Sequence, residues 1–148
     1  MIPHRIVVAT DFHEAATRAL DMAVAIAQGC GAELILVHAY DVPPLVYADP
    51  LVAGSAGQIA DDLEMHAKRQ LRALAEGLAS RVGPVSTVAA QGAPAECILK
   101  TVRKTGADLV VVGTHGRHGL PRAVLGSTAE RLVRTSPVPV LVARIAEV

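Results

Sequence analysis

The sequence has no tryptophan, one phenylalanine and two tyrosines. It therefore lacks the aromatic faces on which single-stranded nucleic-acid binders stack bases. An excess of one charge is missing too, since Lys and Arg number 14 and Asp and Glu 14. That balance removes the overall field that draws nucleic acid or an anionic membrane surface to a basic protein. Charge-driven recognition must be local. No apolar run approaches the roughly 20 residues of a membrane-spanning helix. The opening "MIPHRIVVAT" has no cationic head followed by a long apolar stretch and a small-residue cleavage site, so a soluble cytoplasmic protein is expected. Cys30 and Cys97 are the two cysteines and form no Cys-x-x-Cys pair. They read as packing thiols rather than as zinc or redox groups. Gly-x-x-x-x-Gly-Lys-Ser/Thr and Gly-x-Gly-x-x-Gly are both absent, which excludes a standard P-loop NTPase and a standard dinucleotide binder.

Half of the 148 residues are hydrophobic, enough for one domain (1–148) with one substantial core. "RIVVAT" (5–10), "ELILVHA" (33–39), "DLVVVG" (108–113) and "PVLVA" (139–143) are β-branched and nearly continuous. Strands buried on both faces of a parallel sheet read this way. "VSTVAAQ" (85–91) is more polar, and Pro137 and Pro139 crowd the last run; both features suit edge strands. Apolar residues at steps of three and four predict helices over 13–28, 57–82, 94–105 and 127–135. Strict alternation of strand and helix gives an α/β fold, a doubly wound five-stranded parallel sheet of order 3-2-1-4-5 with helices on both faces. Strands one and four then lie side by side, forming the switch point where such sheets bind ligands.

"GTHGRHGLPRAVLGST" (113–128) follows strand four. Gly113 and Gly116 permit close approach of a ligand to the main chain, and Gly126, Ser127 and Thr128 stand where a helix begins. The unpaired N–H groups of a helix start suit phosphate oxygens. No acid occurs from 114 to 129, whereas His115, Arg117, His118 and Arg122 do, so the segment is locally cationic. The plainer alternative is a turn in which Ser127 merely caps a helix. His115 and His118 lack a nearby third ligand, which argues against a histidine metal site.

Gly113-x-x-Gly116, nine residues, then Gly126-Ser127 resembles the ATP-binding signature of the universal stress protein family. "IVVATDFHEAATRAL" and "AELILVHAYDVP" are similar to that family's first strand and helix and its second strand, so the resemblance spans the chain. It implies the ATP-binding branch and a regulatory role in stress response. It also implies that Asp11, beside Thr10, contacts the nucleoside and that Ala39 touches adenine through its backbone. Gly113, His115, Gly116, Gly126, Ser127 and Thr128 would line the phosphates with help from Arg117, and Mg2+ would ride on phosphates and water. A homodimer through 139–143 is implied as well. Strand one departs from the family pattern in ending "VATD", as does Ala39 where Val is usual.

Other readings stay open. Asp11 and Glu14 could form a reciprocal capping box that needs no ligand. The long connection 40–57 is either a lid with Tyr47 as a contact or a surface loop. Slow ATP hydrolysis or autophosphorylation has only His115, Arg117 and Asp11 to draw on, with no dedicated base. A nucleotide-independent interaction module would use the last strand and the long loop.

Overall fold

The computed structural model describes residues 1–114 and 125–145. Its elements are β1 (Arg5–Ala9), α1 (Glu14–Cys30), β2 (Glu33–Tyr40), α2 (Pro44–Ala48), a 3-10 turn (Ala53–Ser55), α3 (Ala56–Leu78), β3 (Val85–Gln91), α4 (Pro94–Thr105), β4 (Leu109–Gly113), α5 (Ser127–Thr135) and β5 (Val140–Ala143). The strands form one sheet of order β3-β2-β1-β4-β5. Every neighbouring pair is parallel. The expected fold and strand order are those observed.

The continuous apolar runs have a direct cause. Successive side chains of a strand point to opposite faces, and here both faces are covered. Ile6, Val8, Leu34, Leu36 and Val111 pack with Ala19, Ala23 and Val24 of α1 and Leu71 of α3. Val7, Ile35, Val37, Val110 and Val112 meet Ile98, Leu99 and Val102 of α4 and Leu132 of α5. Alanines on α1 bring its backbone close to the sheet. At Gly113 a Cβ would lie 2.6 Å from the Ala15 carbonyl oxygen, so glycine is required there by helix packing.

Two expectations along the chain need correction. The connection 40–57 is not one loop: it holds α2 and the 3-10 turn, and α3 begins at Ala56. Val42 is buried where the connection leaves the sheet. The helix expected over 57–82 stops at Leu78. The Arg81 and Val82 N–H groups both donate to the Leu78 carbonyl, and this turn, not a further helical turn, carries Val82 against the core. Its apolar character was helical in spacing only.

The amino end of the sheet is tied shut. The Asp108 carboxylate accepts the backbone N–H groups of His4 and Arg5 at 3.0 to 3.1 Å. The Arg5 guanidinium meets Glu33 at 3.2 Å and the Thr105 carbonyl at 3.0 Å. Burial pushes the Asp108 carboxyl up, but the His4 and Arg5 N–H groups outweigh it and hold it below its ordinary value. Gly31 and Gly106, at φ 73° and 66°, end α1 and α4 in the left-handed conformation glycine allows. Cys30 is half-buried and Cys97 buried, both as free thiols. Burial raises the Cys97 thiol, as suits a packing group.

Candidate functional site

At the carboxyl end of the sheet the chain leaves β1 toward α1 on one face, while α5 follows β4 on the other. Divergence of adjacent strands opens a cleft of about 370 Å³. Its floor is Ala9 and Thr10 after β1, Val37, His38 and Ala39 of β2, and Val112, Gly113 and Thr114 at the end of β4. Asp11 and Ala16 line the α1 side, Pro94 and Ile98 the α4 side, and Gly126, Ser127, Thr128 and Ala129 the α5 side. The starts of three helices therefore border one cavity, each bringing the positive end of its dipole.

The turn between β1 and α1 is held by several bonds. Thr10 Oγ1 accepts the Phe12 N–H at 3.0 Å, and Asp11 Oδ1 accepts the His13 N–H at 2.9 Å. Phe12 sits at φ 65°, the sole non-glycine positive φ among the described residues. Its ring lies 4.7 Å from that of buried His38, whose Nδ1 donates to the Thr10 carbonyl at 2.8 Å. The Asp11–Glu14 capping box is not formed. His13 is the N-cap, without a side-chain cap bond, and Glu14 is the first helical residue. Asp11 instead spends one oxygen on a residue two positions on, and the left-handed step at Phe12 lies between it and the helix. Its side chain is 27% exposed at the cleft.

Across the cleft, Gly126 is the N-cap of α5 and, having no side chain, makes no side-chain cap bond. The reading in which Ser127 caps the helix is thereby corrected: Ser127 is the first helical residue. The Gly126 N–H donates to the Thr114 carbonyl at 2.6 Å, and the Thr114 N–H to the Ala143 carbonyl at 2.9 Å. The chain thus leaves β4 and re-enters at α5 from nearly the same point. The first helical bond runs from Glu130 N–H to the Gly126 carbonyl at 2.9 Å. The N–H groups of Ser127, Thr128 and Ala129 precede it and belong to residues lining the cleft.

On the third side, β2 outruns β1. Val37 accepts the Thr10 N–H toward β1, and Ala39 pairs with Ala90 on the β3 side. Peptide orientation alternates along a parallel strand. The N–H and C=O of Ala39 therefore face the β1 side just beyond the last β1 residue, Ala9.

Thr10, Asp11, Ala39, Gly113, Gly126, Ser127 and Thr128, distant in sequence, come together around this cleft. His115, Gly116 and Arg117 lie outside the described residues, as do His118 and Arg122. Tyr47 is exposed, and no residue of 40–57 lines the cleft. Sequence reasoning missed His38, Thr114, Pro94 and Ile98. His38 had a signal, being the one polar residue in the otherwise apolar run "LILVHA" (34–39). Pro94 and Ile98 had none, because only the packing of α4 brings them here. Among the described residues no three His, Cys, Asp or Glu gather to hold a metal, and no helix is long and apolar enough to cross a membrane.

An open, doubly wound parallel sheet with a ligand-sized cleft at its switch point defines the class of this protein. The model of the universal stress protein family matches residues 3–144, and the chain belongs to that family. It is 32% identical over 141 residues to universal stress protein MJ0531 of Methanocaldococcus jannaschii, covering 95% of this chain and 81% of that one. Its fold is similar to the solved structure of MJ0577 from the same organism, with TM-score 0.87, 27% identity and 100% of each chain covered. It is also similar to a universal stress protein solved in complex with cAMP, with TM-score 0.63 and 26% identity, covering 97% of this chain and 98% of that one.

Proposed function

We propose that the cleft binds an adenine nucleotide, ATP with Mg2+, and that occupancy is the signal of a cytoplasmic regulatory protein of the stress response. The observation that carries this reading is the pairing of two unlike ends in one cavity. A peptide N–H and C=O at Ala39 offer a donor and an acceptor to a base edge, while the uncapped start of α5 offers N–H groups and the Ser127 and Thr128 hydroxyls to phosphate. Asp11 and Thr10 lie on the β1 side for the sugar. Gly113, Gly126, His115, Gly116 and Arg117 complete the phosphate-binding set. The magnesium ion takes its ligands from phosphate oxygens and water, since Asp11 is the one carboxylate lining the described cleft. The nucleotide complex of the cAMP-bound relative supports the same ligand class.

The pairing surface in this reading is β5, an edge strand with half-exposed Val140, Leu141 and Val142, which joins two copies through 139–143. Nucleic acid and membrane are not partners.

Gly126→Asp tests the site. The N-cap backbone lies at φ −59°, which aspartate adopts freely, and aspartate is a good N-cap. Folding stability is therefore kept or slightly raised, while a carboxylate stands where phosphate would bind. In calorimetry wild type binds ATP and the variant loses at least tenfold in affinity. Equal affinities refute the assignment. At ATP 100 times its dissociation constant, wild type gains about 2.7 kcal/mol of stability, which a thermal-shift panel of ATP, AMP, NAD and cyclic nucleotides reads.

A further inference from the structure

The two edges of the sheet are unequally protected. β5 has four residues and follows Pro137 and Pro139. β3 has seven, "VSTVAAQ", with no proline and no charge. In the ladder, Leu34 N–H donates to the Pro84 carbonyl and Gly92 N–H to the Tyr40 carbonyl. By alternation, Val85, Thr87, Ala89 and Gln91 turn their N–H and C=O groups away from β2, toward the open edge. Such a row is a template for another strand, and neither a lysine nor a bulge blunts it.

A groove of about 480 Å³ runs beside that edge, between β3 and α3. Its floor is of small side chains, Ala75 and Ala79 from the helix and Thr87 and Ala89 from the strand, while Lys68, Arg72 and Glu76 line its helical rim, Lys68 being paired within the helix to Glu64. α3 runs antiparallel to β3: Leu78 shortly precedes the strand, whereas Glu64, four positions before Lys68, reaches Tyr40, the neighbour of Gln91 at the strand's far end. Arg72 and Glu76 are one helical turn apart on this rim.

We propose that the β3 edge docks a second copy of this chain, paired antiparallel about Thr87. A two-fold axis there joins outward peptide groups of the two β3 strands and lays the two α3 helices antiparallel on one face. Each Arg72 then faces Glu76 of the other copy. The rim is complementary to itself, which a foreign strand would match only by coincidence. β5 lies on the opposite edge, so this contact is additional to the one proposed there and independent of nucleotide.

Sedimentation velocity of the full chain over a concentration series tests it. Wild type reaches at least twice the largest mass reached by Thr87→Pro and grows further with concentration, because two-fold contacts at opposite edges extend into an open chain. Proline is tolerated at an edge position whose N–H faces outward, and far-UV circular dichroism checks that this variant folds. Arg72→Glu or Glu76→Arg alone sets like charges together and raises the concentration for half-association about tenfold. The double variant Arg72→Glu, Glu76→Arg restores it. The proposal is overturned if wild type never exceeds the mass of Thr87→Pro, even where a foreign extended peptide binds β3, or if the double variant is as weak as either single one.

Discussion

The two ends of this sheet are made of the same strands and treat their polar groups in opposite ways. At the amino end, loose N–H groups are consumed: Asp108 takes those of His4 and Arg5, and Arg5 itself is spent on Glu33 and a helix carbonyl. At the carboxyl end, α1, α4 and α5 begin without a side-chain cap bond. Capping a helix start is worth about 1 kcal/mol, so leaving three uncapped around one cavity forgoes stability. First-turn N–H groups that no N-cap side chain takes are what an anionic ligand needs. One end stabilises the fold and the other is the proposed binding end, so substitutions at each should move different observables.

The largest effect is expected where the two demands meet. Gly113→Ala places a Cβ 2.6 Å from the Ala15 carbonyl oxygen, an atom of a packed helix backbone. Urea unfolding should show a loss of about 2 to 3 kcal/mol, with nucleotide affinity falling as α1 is displaced. A neutral substitution would mean that α1 yields easily and that glycine serves the ligand alone.

Asp108→Asn acts at the closed end. It should cost about 1 to 2 kcal/mol and leave nucleotide affinity unchanged. The folded carboxyl titrates below its ordinary value, so its contribution is complete above the unfolded value, about 4, and is lost as pH falls through the lower folded value. Urea midpoints at falling pH should therefore drop less steeply in the variant than in wild type across that acid window.

Asp11→Ala acts at the open end, and the expected pattern is inverted. The Asx bond to His13 is partly exposed, so stability should change by about 0.5 kcal/mol or less, while ATP affinity measured by calorimetry should fall about tenfold. A loss of stability matching that of Asp108→Asn would erase the distinction between the two ends. Ser127→Ala should be the mildest. The residue is not the N-cap, so thermal stability should stay within about 0.5 kcal/mol and affinity fall only a few-fold, by the worth of one neutral hydrogen bond.

Much of this was legible before any coordinates. The apolar runs named the five strands because a strand covered on both faces must be apolar at every position, and order 3-2-1-4-5 followed from strict alternation and two polar or proline-marked edges. Helix boundaries were legible where chemistry marks them: Pro94 opens α4 at its first residue and Gly106 closes it in the left-handed conformation. They were misread where apolar spacing continued through a turn, as at Val82. The Asp11–Glu14 pair read as a capping box because spacing cannot reveal that Phe12 takes a positive φ. Nor can it reveal that His38, from another strand, secures the Thr10 carbonyl beneath that turn.

Composition and periodicity by themselves determined the layers, since solvent exclusion acts on local pattern: which residues are apolar, and at what step, decides which faces are covered. Which of the cleft's glycines is also demanded by packing was decided only by tertiary structure. Gly113 and Gly126 look alike in the sequence, yet one is pressed against the backbone of Ala15 and the other heads an uncapped helix beside the cleft. The difference rests on how closely α1 approaches β4, a distance set by alanines remote in sequence from both glycines.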